Sequence, residues 1–255
     1  MRRRLRHPRE NIALAVCVAA TGLAVLGAVS RFLSGAPDQP LLLLSVPLLV
    51  FFVRGYLYAL QRVNGVRITE EQFPDAHRMV REAAEHFGMP RVPEAYVVLG
   101  NGVVNAFASG HGQRRYVAVN SDLFEVGGRL QDPDALRFVI GHEVGHIAAG
   151  HTSFWRQFGI SVANVIPGLG STLGRAQEYT ADNHAYAFCP EGRHMLQVLA
   201  AGKYLYPDVD FDDIAARAHT DAGFFVLLVN LLSSHPVNTF RFAALADRSR
   251  PGRLL

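Results

Sequence analysis

The chain is poor in the residues that build two common kinds of site. It has two cysteines in 255 residues, Cys17 in an apolar run and Cys189 far downstream, and no CxxC. That scarcity argues against a disulfide framework and against a thiolate metal site, and it suits a reducing compartment. Lysine is nearly absent: Lys203 is the only one, so the positive charge is almost all arginine. Basic charge is also scarce over most of the length. The net charge is +3 and the pI about 9.1, yet Arg2, Arg3, Arg4, Arg6 and Arg9 crowd the first nine residues, and without those five the chain carries about −2. So local a cluster argues against a nucleic-acid-binding surface and for a tail that orients a membrane protein. Internal repeats and low-complexity segments are missing too.

What the chain has is apolar length. The hydrophobic fraction is 49% and the mean hydropathy +0.12. Residues 11–30 hold no charge, enough for a helix to cross a hydrocarbon core of about 30 Å. A cleaved leader would also show a basic start, an apolar stretch and small residues such as Ala28-Val29-Ser30. A second apolar run follows almost at once, at 41–60, with Arg54 able to snorkel and Tyr56 and Tyr58 suited to an interface. The reading is a two-helix membrane hairpin within residues 1–62. Arginines on both outer ends, with one Arg and one Asp in the 31–40 loop, put both ends in the cytoplasm. Two later apolar stretches, 154–173 and 223–232, are interrupted or too short to span and read as buried or interfacial.

Residues 69–88 read as an amphipathic helix capped by Thr69 and stopped by Gly88. β-Branched and aromatic residues mark strands at 95–99, 103–109 and 115–119, with GHGQ turning between the last two. Asp132-Pro133-Asp134 is a strong helix start, and that helix should run to about Gly150. A further helix is expected across 174–188, and the apolar stretch 222–232 is followed by a turn at SSHPVN and a final helix.

The chemistry concentrates in FVIGHEVGHIAAGH, residues 138–151. On a helix, His142 and His146 stand four apart on one face and can point both imidazoles at a single Zn²⁺. Glu143 follows the first ligand and leans toward the open position, where it can take a proton from the activated water and deliver it to the leaving amine. Gly141 and Gly145 remove bulk beside the ligands. The alternative is a buried apolar helix that happens to carry histidines.

A third ligand is needed. His151 lies five residues after His146, about 140° from the ligand face of a continuing helix. It also misses the metzincin spacing, so it reads as a structural or surface residue. EYTAD offers more: Glu178 and Asp182 are four apart on one face of a later helix. Glu178 would complete a His₂Glu set, and Asp182 would accept a hydrogen bond from a ligand histidine and fix its tautomer. Two solvated acids on a helix is the bland alternative.

Four segments together resemble the HtpX-like membrane zinc metalloproteases, a family of gluzincins related to the CAAX prenyl proteases. They are HEVGH, EYTAD, NAFASG at 105–110 and SHPVNTFRFAAL at 234–245. The resemblance covers nearly the whole chain. It implies an α+β fold: an N-terminal two-helix transmembrane hairpin, about 11–30 and 41–60, followed over 63–255 by a mostly helical gluzincin metalloprotease domain with a small β-sheet. It assigns one Zn²⁺ to His142, His146 and Glu178, the general base to Glu143, and a role in holding substrate or the developing oxyanion to Asn105 and His235. The family's type member carries another pair of membrane helices between the zinc helix and the Glu helix. Here only about thirty residues separate His146 from Glu178, too few for two spans, so 152–174 is expected to be a flap or membrane-surface element near the cleft.

The expectation is therefore a multi-pass protein of the cell membrane, a zinc endopeptidase facing the cytoplasm. Its partners would be protein or peptide substrates and the lipid bilayer, with no nucleic acid. Substrates would be membrane or misfolded proteins, bound in extended form along the strand near Asn105. The alternatives are a CAAX-type processing protease, which needs a larger membrane chamber, and a zinc-binding scaffold without proteolysis, which has no need of Glu143.

Overall fold

The computed structural model describes residues 5–35, 43, 45–126 and 132–255. Arg2, Arg3 and Arg4 of the tail, residues 36–40 of the connecting loop and residues 41, 42 and 44 of the second apolar run lie outside the described residues. Helix α1 (Glu10–Leu33) and helix α2 (Val46–Asn64) come first, and both are long and apolar enough to cross a membrane. Then follow β1 (Val66–Arg67), α3 (Pro74–His86), β2 (Glu94–Val98), β3 (Ala106–His111) and β4 (Arg114–Asn120). The short α4 (Ser121–Phe124) leads to α5 (Pro133–Ala148), α6 (Phe154–Gly159) and α7 (Leu169–Phe188). The chain ends with α8 (Met195–Leu205), α9 (Phe211–Thr220), α10 (Phe224–Leu232) and α11 (Asn238–Ala246). The fold is mostly helical with a small mixed sheet, as the composition of the segments suggests.

The sheet order is β1-β2-β4-β3, with β2 and β4 parallel and the outer pairs antiparallel. Gly112 at φ +56 makes the two-residue turn between β3 and β4 possible. Strand β3 is an edge of the sheet. The main core joins α3 (Met79, Val80, Ala83), β4 (Val117, Val119) and α5 (Leu136, Phe138, Ile140, Val144). The membrane-type helices do not stand apart from this body. Cys17 of α1 packs with Ile160, Ala163 and Leu173, and Tyr58 of α2 packs with Tyr96 and Tyr116 of the sheet.

Several boundaries differ from expectation for local reasons. The helix expected from residue 69 begins at Pro74, which restricts the residue before it, and Phe73 sits in the left-handed region at φ 61. Thr69 caps a turn instead, its Oγ1 accepting from Gln72 N at 3.1 Å. Helix α7 starts earlier than residue 174, at Leu169 after Gly168 at φ +81. Asp132 does cap α5: its side chain accepts from Ala135 N at 3.1 Å, with Pro133 in the first turn. The segment between α5 and α7 is α6 and a 3-10 turn, Ala163–Val165, lying against α1.

The pair that positions everything else is α5 on α7. A Cβ on Gly145 would lie 2.7 Å from His184 Cβ, and one on Gly141 would lie 2.9 Å from Phe188 Cδ1. Both glycines face α7, so the two helix backbones approach more closely than any side chain would allow. Gly145→Ala sets two effects against each other. Helix propensity gains about 0.5–1 kcal/mol, while overpacking against a helix backbone costs about 1–3 kcal/mol. We expect a net loss of about 1–2 kcal/mol in denaturant unfolding of the detergent-solubilised protein, with weaker metal binding because α7 carries Glu178. A variant as stable as the parent would show that the contact is slack.

Candidate metal centre

Helix α5 presents His142 and His146 one turn apart, and α7 crosses it with Glu178 opposite. The three donor atoms converge: His142 Nε2 and His146 Nε2 are 3.1 Å apart, and each is 3.4 Å from an oxygen of Glu178. Ligands at zinc's bond lengths of about 2.0–2.1 Å, set at tetrahedral corners, would be separated by about 3.3 Å. The cluster fits such an ion in both donor type and spacing, and among the described residues it is the one set of three His, Cys, Asp or Glu side chains that could hold a metal.

Each imidazole is held through its other nitrogen. His142 Nδ1 lies 2.9 Å from Asp182 Oδ1. Asp182 in turn takes Arg241 Nε at 2.9 Å and Arg241 Nη2 at 2.6 Å. A metal on Nε2 would require the His142 proton to sit on Nδ1, donated to Asp182, with the Nε2 lone pair facing the cluster. Burial favours neutral groups here, but the charges outweigh it. Asp182, between Arg241 and His142, is held at about 2, and Glu178 is also held low by the two histidines. His142 is driven up to about 10 against burial, by Asp182 and Glu178. A pocket that draws a proton this strongly is built for positive charge.

His146 is held differently, by His151, for which the structural alternative holds and the surface one does not. Helix α5 does not continue past Ala148. Gly150 takes φ +80, its N–H bonds Ile147 O at 2.9 Å, and His151 N bonds His146 O at 3.0 Å. This is a Schellman ending, which folds the residue after the glycine back over the last turn. His151 is consequently buried, not on the surface, and its Nδ1 lies 2.8 Å from His146 Nδ1. Its Nε2 lies 3.2 Å from Glu10 Oε1, at the start of α1. Burial, together with His146 and Arg156, pushes the His151 ring down to about 3, despite Glu10. The ring is neutral at ordinary pH.

Glu143 is buried at the edge of the cluster, and its carboxylate makes no hydrogen bond among the described residues. Burial, with Glu178 adding to it, raises it above the usual carboxylate range against the pull of His142 and His146. It faces a cavity of about 240 Å³ whose apolar wall includes Phe138, Val139 and Leu199. A second, more polar cavity of about 270 Å³ adjoins the same residues and reaches Arg54, Ser109 and Gln157. Asn105 and His235 both line the first cavity. Asn105 Oδ1 accepts from Ala106 N at 2.9 Å, which leaves its amide nitrogen as a donor. His235 is exposed, with Nε2 3.6 Å from Glu178 Oε1. Six of the seven residues singled out in the sequence thus line the two adjoining cavities, and Asp182 stands behind them against His142.

Three contributors escaped the sequence reading. Arg241 was noticed only as an arginine after the His-Pro segment, and its pairing with Asp182 needs the tertiary fold. Glu10 was not singled out at all. Arg54 looked like a snorkelling residue, yet its Nη2 donates to Thr152 O at 2.6 Å beside the cleft.

Comparison with known proteins agrees with this geometry. The family described as Peptidase family M48 matches residues 70–155 and 152–249. Curated proteins named Protease HtpX homolog, from Burkholderia cenocepacia (strain HI2424) and Burkholderia multivorans (strain ATCC 17616 / 249), are each 25% identical over 238 residues. The match covers 76% of this chain and 81% of each relative.

Arg241 is buried against Asp182, so removing it strands a buried carboxylate. Arg241→Met should destabilise the metal-free protein by about 3 kcal/mol or more and weaken metal binding roughly tenfold or more. Chemical unfolding and chelator competition measure the two effects. Unchanged values in both would show that Asp182 needs no partner.

Proposed function

The chain belongs to peptidase family M48, an HtpX-like metalloprotease, and from that premise we propose that it is a membrane-anchored zinc endopeptidase. His142, His146 and Glu178 would hold the ion. When bound there, zinc polarises the scissile carbonyl and makes an attacking water more acidic. Glu143 takes the proton of that water and passes it to the leaving nitrogen. Asn105, through its amide nitrogen, and His235, through its ring, donate toward the carbonyl oxygen as it gains charge. Strand β3, at the sheet edge, accepts substrate in extended form by main-chain pairing. The apolar cavity beside Glu143 takes an apolar side chain next to the cleaved bond.

The observation that carries this reading is Glu143 itself. A buried carboxylate with a raised pKa and no hydrogen bond is costly, and a zinc-binding scaffold would have no use for it. A CAAX-type activity is disfavoured by the small cavities. Membrane or misfolded proteins are the substrates we propose. Arginines at both outer ends of the hairpin support a catalytic domain that faces the cytoplasm.

The hairpin also sets the depth of the site. Val162 N donates to Thr21 Oγ1 at 3.3 Å, so the first half of α1 lies against the body of the protein. Only about twelve residues, roughly 18 Å, project beyond it, less than the hydrocarbon thickness of about 30 Å. Exposed Trp155, Val165, Phe224 and Phe225 lie on the neighbouring elements. The segment 154–173 and α10 therefore sink into the interface of one leaflet.

Two measurements test the proposal. Glu143→Gln should retain zinc while casein or membrane-substrate cleavage falls by about 10²–10⁴-fold, whereas Glu178→Ala should lose the metal. Cleavage by Glu143→Gln at the parental rate would remove the assigned mechanism. Trp155 is the only tryptophan, so its fluorescence in vesicles reports depth directly. Quenching by brominated lipid should exceed quenching by aqueous iodide. The reverse result, with the protein still vesicle-bound, would lift the segment out of the interface.

A further inference from the structure

Glu10 is fully buried at the first residue of an apolar helix, and nothing about anchoring a chain in a membrane requires a carboxylate there. Its surroundings are specific. Oε1 meets Arg6 Nη1 at 2.8 Å, Arg156 Nη2 at 2.6 Å and His151 Nε2 at 3.2 Å. Oε2 accepts from Thr180 Oγ1, and Thr180 sits between Glu178 and Asp182 on α7. The residues before Glu10 are pinned to the same helix. His7 N donates to Thr180 Oγ1 at 2.9 Å, Asn183 Nδ2 donates to Leu5 O at 2.9 Å, and His7 stacks on Tyr179.

We propose that Glu10 is a positioning residue of the metal centre, acting on His146 through His151. The proton directions follow from the ligand role. For His146 Nε2 to offer a lone pair to a metal, its proton must sit on Nδ1 and be donated to His151 Nδ1. His151 then carries its own proton on Nε2 and donates it to Glu10. The result matches the His142–Asp182–Arg241 arrangement with one imidazole inserted: ligand, relay ring, carboxylate, then two guanidiniums. One ligand histidine is held from within the catalytic domain. The other is held from the membrane hairpin, which makes α1 a part of the metal centre as well as an anchor. This rests on the reading of His146 as a ligand.

The test uses the full-length protein in detergent. Glu10→Gln keeps the shape but removes the charge, and His151→Phe keeps a ring but removes both nitrogens. Each should weaken zinc binding by roughly 10–100-fold in chelator competition. Each should also shift the visible absorption bands of the cobalt-substituted protein, which report ligand geometry. His7→Phe loosens the same N-terminal segment without touching the relay, and it should leave the cobalt spectrum unchanged even if it lowers the melting temperature. If Glu10→Gln fails to fold, His151→Phe reads the same link from its middle. Zinc affinity within twofold of the parent and an unchanged cobalt spectrum in a folded variant of either residue would overturn the proposal. The control is His146→Ala. If it abolishes metal binding, such a result condemns the relay alone; if it binds zinc like the parent, the ligand reading itself has failed.

Discussion

The close approach of α5 and α7 is the constraint on which the site depends. Gly141 and Gly145 face α7 at Phe188 and His184, where a side chain would have to overlap existing atoms. A glycine inside a helix costs roughly 0.5–1 kcal/mol relative to alanine, and α5 carries two of them in its middle. What the glycines permit is a distance. With the backbones this near, Glu178 reaches both imidazoles at 3.4 Å and Asp182 reaches the back of His142 at 2.9 Å. Moving α7 outward by the width of a methyl group would break both sets at once. The spacing of histidines on α5 is therefore only half of the metal site. The other half is the lack of side chains between them.

Bringing this much charge together in a buried place creates an electrostatic problem, and the structure solves it by pairing in layers. Asp182 and Glu178 would be prohibitive alone in a low-dielectric interior. Arg241 answers Asp182 with two hydrogen bonds, and Arg6 and Arg156 answer Glu10 in the same way. Glu143 is the exception. Among the described residues no donor makes a hydrogen bond to its carboxylate, and burial lifts its pKa against the pull of His142 and His146. Among four buried acids around one cluster, three are held as charged anions by partners and one is left free to exchange a proton. The carboxylate without a hydrogen-bonding partner is the one to which the proposed mechanism gives the proton transfer.

Much of this was legible in the sequence, and the parts that were not share a cause. Periodic and local signals worked: the Asp132-Pro133 cap, the i, i+4 spacing of His142 and His146 and of Glu178 and Asp182, and the apolar lengths of α1 and α2. Strand boundaries shifted by one to three residues. The surface alternative for His151 failed because rotation was counted along a helix that had already ended. The ending itself was visible, since Gly150 four residues after His146 signals a left-handed cap, and such a cap returns the following residue over the last turn. Arg241, Glu10 and Arg54 could not be found by spacing. Each acts across a long separation in sequence, and a lone charged residue carries no local mark of its partner.

The way the chain makes do with one hairpin follows from the same geometry. With about thirty residues between His146 and Glu178, a second pair of spans has no room. The segment there does something else: α6 and the turn after it lie across α1, sharing Ile160 and Ala163 with Cys17 in one apolar cluster. Arg156 on α6 reaches back to Glu10, and Gln157 donates to His151 O at 2.7 Å. The short segment thus ties the first apolar helix to the end of α5. The second apolar helix is tied in as well, through Arg54 to Thr152 and through Gly55, which stands against the His111 ring at the end of β3. Both helices of the hairpin touch the walls of the cleft. A peptidase arranged this way has its active site fixed in height and orientation relative to whatever plane the hairpin occupies, because the elements that anchor it also complete it.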